Sequence, residues 1–146
     1  MLDKYSIMRL FEFSDNKEKR VRQLKEFERW VCEKLNCQAP DVDYGFDLDK
    51  VKQMRTFGST SSDGNIWVYV GDRNMADTMR TLAHELIHLK QFGKGTASDD
   101  MDEDQRQHIE DEANAIAGRL MREYGGEHEE IYENKKSQMT KYSINR

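Results

Sequence analysis

Residues 81–91 have the sequence TLAHELIHLKQ. On a helix with about 3.6 residues per turn, His84 and His88 lie one turn apart and point the same way. Glu85 is one step round the helix, where its carboxylate can reach a water bound beside the imidazoles. This HExxH arrangement is typical of a helix that holds zinc through two neutral His ligands and carries a Glu as general base.

The residues that flank the motif are apolar, which predicts a helix buried at the centre of a domain. They are Met79, Leu82, Ala83, Leu86, Ile87 and Leu89. Unpaired polar groups in such a place cost a few kcal/mol each, so the two imidazoles and the carboxylate require partners. One zinc ion would satisfy all three, and chance occurrence of the pattern is the weaker interpretation.

The length and composition predict a single domain over residues 1–146 that is highly solvated. Charged residues make up 35% of the 146-residue chain, hydrophobic residues 36%, and the net charge is −5. Because the net charge is negative and the basic residues are interleaved with acidic ones, the sequence gives no indication of a nucleic-acid partner. No signal-like start or membrane-length apolar run is visible, so we expect a cytoplasmic protein. Cys32 and Cys37 are too few for a disulfide framework and form no recognised zinc spacing.

The remaining patterns predict an α+β fold. Apolar residues at spacings of three and four predict an N-terminal helix from Asp15 to about Leu35, with Ser14 or Asp15 as its N-cap. Residues 41–46 are compatible with a strand and residues 48–54 with a helical turn. The Asp-Gly turn at 63–64 predicts a hairpin, so we expect a short, mainly antiparallel sheet.

The strand after this turn alternates between two faces, which predicts a half-buried strand, and residues 55–60 are its expected antiparallel partner. Trp67 and Tyr69 lie on one face, and Val68 lies on the other. If the protein is a peptidase, the strand that contains Trp67, Val68 and Tyr69 could pair with an extended substrate. An ordinary covered sheet strand is the alternative. Asn74 is the expected N-cap of the HExxH helix, and the glycines within residues 91–95 are expected to end it.

A second long helix is predicted from about Glu103 to Tyr124, ending at the glycine pair 125–126. The acidic loop before it lacks the central Gly and closing Glu of an EF-hand, which argues against a calcium site. A catalytic zinc needs a third protein ligand and one open position. The segment around Glu110 could supply that ligand, with Glu112 and His108 as rivals, and small Ala residues would let the two helices approach closely.

The spacing of these groups resembles that of the gluzincin zinc peptidases. HELIH at 84–88 is followed, 22 residues after His88, by Glu110-Asp111-Glu112-Ala113-Asn114, similar to the family's second, glutamate-bearing helix. The resemblance implies a small zincin-like domain with His84, His88 and Glu110 as metal ligands. It further implies Glu85 as the general base and Asn114 as the residue that orients a ligand histidine.

The compact size looks most like the minimal gluzincins and the ImmA/IrrE-type peptidase domains, and the surrounding sequence is similar to small HExxH proteins of tailed phages. The resemblance also allows Tyr132, Tyr124 or His128 to stabilise an oxyanion. Gln91 and Lys94 depart from the metzincin pattern. The polar tail over residues 133–146 is a candidate mobile segment.

The function predicted from these features is zinc-dependent hydrolysis of peptide bonds in a protein or peptide substrate, in the host cytoplasm if the gene belongs to a phage. The alternative is a non-enzymatic regulatory or phage-assembly protein that uses zinc only to stabilise a peptidase-like fold. Glu85 distinguishes the two classes, because a purely structural zinc gains nothing from an acid beside its ligands.

Overall fold

The computed structural model describes residues 4–132, with side chains from residue 16 onward; the predicted mobile tail lies outside these residues. The helices are α1 (Lys4–Leu35), α2 (Leu48–Met54), α3 (Met75–Lys94) and α4 (Glu103–Glu127), followed by a short 3-10 helix over Glu129–Tyr132. The strands are β1 (Val42–Gly45), β2 (Gly58–Thr60) and β3 (Ile66–Tyr69). The predicted α+β class, with an HExxH helix followed by a glutamate-bearing helix, is confirmed.

The three strands form one mixed sheet in the order β1-β3-β2. The expected hairpin pairs β2 with β3 in antiparallel register, and Gly64 closes its turn with a positive φ of 90°. We expected a mainly antiparallel sheet, but β1 pairs with β3 in parallel, so only the β2–β3 pair is antiparallel. Residues 41–54 contain both elements that their sequence suggested, because β1 and α2 follow one another there.

The N-terminal helix begins earlier than its pattern suggested. α1 starts at Lys4 and continues through Ser14 and Asp15, so neither residue is its N-cap. The segment contains no glycine or proline that would stop a helix, and packing further along α1 supports the whole element.

The second helix ends later than expected. α4 passes through Gly125 and Gly126 and ends at Glu127. A Cβ atom on Gly125 would lie 2.5 Å from the hydroxyl of Tyr132, so this glycine lets the 3-10 helix pack closely and does not terminate α4.

The main core lies between one face of the sheet and helices α1, α3 and α4. Its fully buried side chains include Leu24, Phe27, Val31, Val68, Val70, Leu82, Leu86 and Ala113. Trp67 and Tyr69 are 5% and 3% exposed on the opposite face, where they pack with Val51 of α2. The strand predicted to be half-buried is therefore covered on both faces, because α2 closes the side that sequence alternation assigned to solvent.

Helix α3 is positioned by caps at both ends. The Asn74 side chain accepts a hydrogen bond from the Asp77 backbone N–H at 2.8 Å, as expected for its N-cap. Gly95 ends the helix with a φ of 76°, the left-handed conformation that glycine adopts without strain. The HExxH motif lies in the middle of this helix, where fraying is smallest.

Candidate metal centre

The two motif histidines of α3 meet on one face of the helix. Their Nε2 atoms are 2.8 Å apart, and the rings are perpendicular with centroids separated by 4.4 Å. Residues one turn apart on a helix are neighbours, so the local sequence alone produces this pairing. His84, Glu85 and His88 offer ligand atoms that all lie within 4.8 Å of one another.

Helix α4 brings Glu110 to the same point. One carboxylate oxygen of Glu110 lies 3.0 Å from His84 Nε2, and the other lies 3.0 Å from His88 Nε2. Ala113 and Ala117 of α4 are 0% and 1% exposed, and their small side chains permit a close approach of the helices. Of the three candidates for the third ligand position, Glu110 is therefore the one that lies against both imidazoles.

The two rival ligands lie elsewhere. Glu112 accepts a hydrogen bond from Gln91 Nε2 at 3.0 Å. His108 is exposed on α4. Neither has a hydrogen bond or ion pair with the motif histidines among the described residues.

Gln91 fixes which ring nitrogen of His88 faces the metal site. The Gln91 side-chain N–H₂ donates to the Ile109 carbonyl at 3.1 Å and to Glu112, which leaves the Gln91 oxygen to accept from His88 Nδ1 at 2.7 Å. With the proton on Nδ1, His88 Nε2 carries the lone pair that a metal ligand needs.

The donor set fits a zinc ion. Two imidazole nitrogens and one carboxylate form a ligand set used by catalytic zinc, with bonds of about 2.0–2.2 Å. Such bonds in a tetrahedron separate the ligand atoms by about 3.3 Å. The distances of 2.8 Å and 3.0 Å around the cluster are within a few tenths of an ångström of that value.

The cluster opens to solvent on the α4 side. The side chain of Glu110 is 49% exposed, whereas those of His84 and His88 are 19% and 10% exposed. A structural zinc site is normally closed by four protein ligands. Three protein ligands with one accessible side are the arrangement that leaves room for a water and a substrate.

Glu85 is buried beside the ligands and has its own hydrogen-bond partner. It is 7% exposed, and its Oε2 accepts a hydrogen bond of 2.6 Å from the hydroxyl of Thr60 in β2. Burial raises the pKa of Glu85, while the Thr60 hydrogen bond and the two histidines oppose that rise. A carboxylate with a raised pKa is a better proton acceptor near neutral pH than an ordinary surface Glu.

The structure contradicts the role expected for Asn114. Its side chain is exposed on α4, and within the described residues it has no hydrogen bond to either motif histidine. Gln91 makes that contact instead, because it lies three residues after His88 on the same helix face.

The three candidate oxyanion stabilisers lie far from the ligands. Tyr124 follows Glu110 by 14 residues of continuous helix, which is about 21 Å at 1.5 Å per residue. Tyr124 stacks on His128 with ring centroids 4.1 Å apart, and Tyr132 covers Gly125. These side chains pack at the opposite end of α4, away from the motif histidines.

The predicted substrate strand is also corrected. Trp67, Val68 and Tyr69 belong to β3, which is hydrogen-bonded on both sides as the central strand of the sheet. Its backbone groups are already paired, so a substrate cannot be added there. β2 forms the sheet edge next to α3, as shown by the Thr60–Glu85 contact.

Two site residues were missed in the sequence. Gln91 had a local signal, because a residue three positions after His88 shares its helix face. Thr60 had none, since it comes from a strand 25 residues before Glu85 and meets it only through the tertiary fold.

Comparison with known families supports this description of the site. Residues 51–141, more than half of the chain, match the model of the IrrE N-terminal-like domain, a peptidase family named Peptidase_M78. The chain belongs to this family, and its HExxH motif fits a zincin-like metal site.

Searches against curated proteins and solved structures find no match. Among the described residues, no helix is long and apolar enough to cross a membrane.

Proposed function

We propose that this protein is a zinc-dependent peptidase that hydrolyses peptide bonds in a protein or peptide substrate. One observation carries the proposal: the Glu110 carboxylate contacts both motif imidazoles at 3.0 Å on a solvent-accessible side, while Glu85 is buried beside them. His84, His88 and Glu110 would hold the ion. Membership of a peptidase family supports the same reaction class.

Zinc, when bound, supplies a Lewis acid that polarises the scissile carbonyl and lowers the pKa of water toward about 7. Glu85 accepts the proton of the attacking water and then gives it to the leaving amine nitrogen. Burial raises the pKa of Glu85, which suits both transfers. The carboxylate is a stronger base toward the water, and the carboxyl then keeps the proton until the leaving amine accepts it.

Thr60 positions the general base. Its hydroxyl has one proton, and the contact of 2.6 Å with Glu85 Oε2 is shorter than that of 3.0 Å with the Glu85 backbone oxygen. Donation to Oε2 holds one carboxylate oxygen in place and leaves the other available for the water. Replacement by valine would keep the shape of Thr60 and remove this hydrogen bond.

The free edge of β2 is the proposed binding surface for the substrate backbone. Phe57 O accepts from Tyr69 N, and Ser61 N donates to Asn65 O, so alternation along the pair directs the backbone groups of Gly58 and Thr60 away from β3. The Thr56 hydroxyl already contacts the Gly58 backbone. Thr60 is therefore the position where an extended peptide would pair, next to the carboxylate of Glu85.

The substrate, the cytoplasmic location and the link to phages stay predictions from the sequence. A non-enzymatic protein stabilised by zinc is the competing function. A strand at the edge of the sheet, a base held by a dedicated hydroxyl and an accessible ligand cluster favour catalysis over a purely structural metal site.

The test compares wild type, Glu85→Gln and the control Glu18→Gln, whose exposed side chain lies on α1. Zinc content is measured by atomic spectroscopy, and cleavage is measured on a diverse peptide library. We expect all three proteins to bind one zinc ion, with cleavage reduced about 10²–10⁴-fold only in Glu85→Gln. Zinc binding without library cleavage by wild type would favour the non-enzymatic function.

A further inference from the structure

The C-terminal end of α1 forms a Schellman cap that contains both cysteines. Cys37 N donates to Cys32 O at 3.0 Å, and Asn36 N donates to Glu33 O at 3.2 Å. Asn36 adopts a positive φ of 52°, as the residue after the last helical position does in this motif. The cap is thus complete in both of its hydrogen bonds and in its left-handed residue.

This cap brings the two cysteine side chains together. In a Schellman motif, the side chains of the residues joined by the longer hydrogen bond commonly contact one another. Here those residues are Cys32, which is 5% exposed in the core, and Cys37, which packs partly buried against the same core. Both line a surface cavity of about 500 Å³, through which a small molecule can approach them.

The cap is held in place by the metal-site helix. The ammonium group of Lys90 donates to the carbonyl of Leu35, which is the last residue of α1 and lies within the cap. Lys90 lies two residues after His88 on α3. Because both helices fix the cap, the thiols are ordered before any reaction, which lowers the entropy cost of joining them.

We propose that Cys32 and Cys37 are a reversible dithiol pair, which forms an intramolecular disulfide by exchange with a low-molecular-weight disulfide. In the first step, the Cys37 thiolate attacks one sulfur of the small disulfide, whose S–S bond breaks and releases one thiolate. In the second step, the Cys32 sulfur attacks Cys37 in this mixed disulfide, and the second small thiolate leaves.

The exchange is balanced. The two protein thiols lose two electrons and two protons, and the small disulfide gains them to become two thiols. Cys37 reacts first because it is the more exposed, and because burial raises the pKa of the Cys32 thiol to about 12. In a reducing compartment the bond would be transient.

The experiment equilibrates the full-length protein in glutathione buffers of graded redox ratio, with and without urea. Free thiols are then alkylated, and the intact mass and peptide map report the fraction with a Cys32–Cys37 disulfide. We expect the equilibrium constant for the disulfide to be at least about tenfold higher in the folded protein than in the urea-unfolded chain. A folded-state constant equal to or below the unfolded value would overturn the proposal.

Two variants at Asn36 test whether the cap produces the pairing. Asn36→Gly keeps the left-handed conformation and should retain the high ratio of the folded-state to the unfolded-state equilibrium constant. Asn36→Val disfavours that conformation and should reduce this ratio severalfold while the core remains intact. Equal ratios in the two variants would show that the cap does not pair the thiols. Cys37→Ser should abolish the internal bond and serves as the assignment control.

Discussion

The two ends of α4 both carry candidate site residues, Glu110 and Tyr124, but the side chains make different contacts. Near its start, Glu110 meets His84 and His88 of α3 with both carboxylate oxygens. Near its end, Tyr124 packs edge-on against Phe27 at 4.8 Å and stacks on His128 at 4.1 Å. Polar atoms converge on one point at the first end, whereas aromatic surfaces cover one another at the second.

The difference shows how a functional group can be told from a packing group in this fold. Atoms that could bind a ligand face a common accessible space at the first end, and the outer nitrogen of His88 is held by a further residue, Gln91. The Tyr124 ring at the second end is enclosed by Phe27, Trp30 and His128 and is 5% exposed. Residue type alone does not separate the two cases; convergence and access do.

The largest expected effect is the loss of zinc in Glu110→Ala. This change removes one of three ligands, so we expect zinc affinity to fall by more than about 100-fold, beyond the range for residues that only support a ligand. Competition with a chelator of known affinity measures the change. Asp111→Ala, which removes the neighbouring exposed carboxylate, is the matched control, and comparable losses in both variants would contradict the assignment of Glu110.

At the opposite end, Tyr124→Ala should damage stability and spare the site. Truncation of this buried ring should lower the free energy of unfolding by about 3–5 kcal/mol, because it leaves a cavity among aromatic neighbours. Urea denaturation measures the loss. Zinc affinity of the folded fraction should stay within about twofold of wild type, as should that of Tyr124→Phe; a selective loss of cleavage in Tyr124→Phe would restore the oxyanion role.

Gln91→Leu sharpens the comparison within the metal-site end. The variant loses the acceptor that holds the proton on His88 Nδ1 and also loses the side-chain hydrogen bond to the carbonyl of Ile109. We expect zinc affinity to fall about 10–100-fold. Chelator competition measures it, with Gln107→Leu, on the exposed side of α4, as the control. Unchanged affinity in Gln91→Leu would show that His88 needs no orienting partner.

The smallest effect concerns Glu28, a buried acid on α1. Burial raises the pKa of Glu28, although Tyr44 donates a hydrogen bond of 3.0 Å to it. Between the ordinary pKa of 4.5 and the raised value, the folded protein holds a proton that the unfolded chain has released. The free energy of unfolding should therefore fall as pH rises through this window and stay lower above it.

Glu28→Gln removes this titration. Its unfolding free energy should depend less on pH above 4.5, and its stability relative to wild type should be greater at pH 7 than at pH 4. Urea denaturation at several pH values measures both. An equal pH dependence in the two proteins would show that Glu28 titrates normally in the fold.

Local patterns predicted much of the fold. The HExxH helix with its Asn74 cap and Gly95 end, the Asp63-Gly64 hairpin and the start of α4 at Glu103 follow from signals within a few residues of each feature. Errors arose where distant packing overrode a local signal. Gly125 resembled a helix stop, yet Tyr132 packs against it inside α4. The outer face of β3 resembled a solvent face until α2 covered it.

The sequence by itself determined the pairing of His84 and His88 and the position of Glu85 beside them, because helical spacing is a property of the backbone. Only the tertiary structure decided which carboxylate from α4 meets those imidazoles, that Thr60 holds Glu85, and that β2 forms the free sheet edge. Those contacts join residues from different elements, and their geometry depends on how the elements pack. Helix periodicity shows which face of a helix is buried, but not which residue of another element that face will meet.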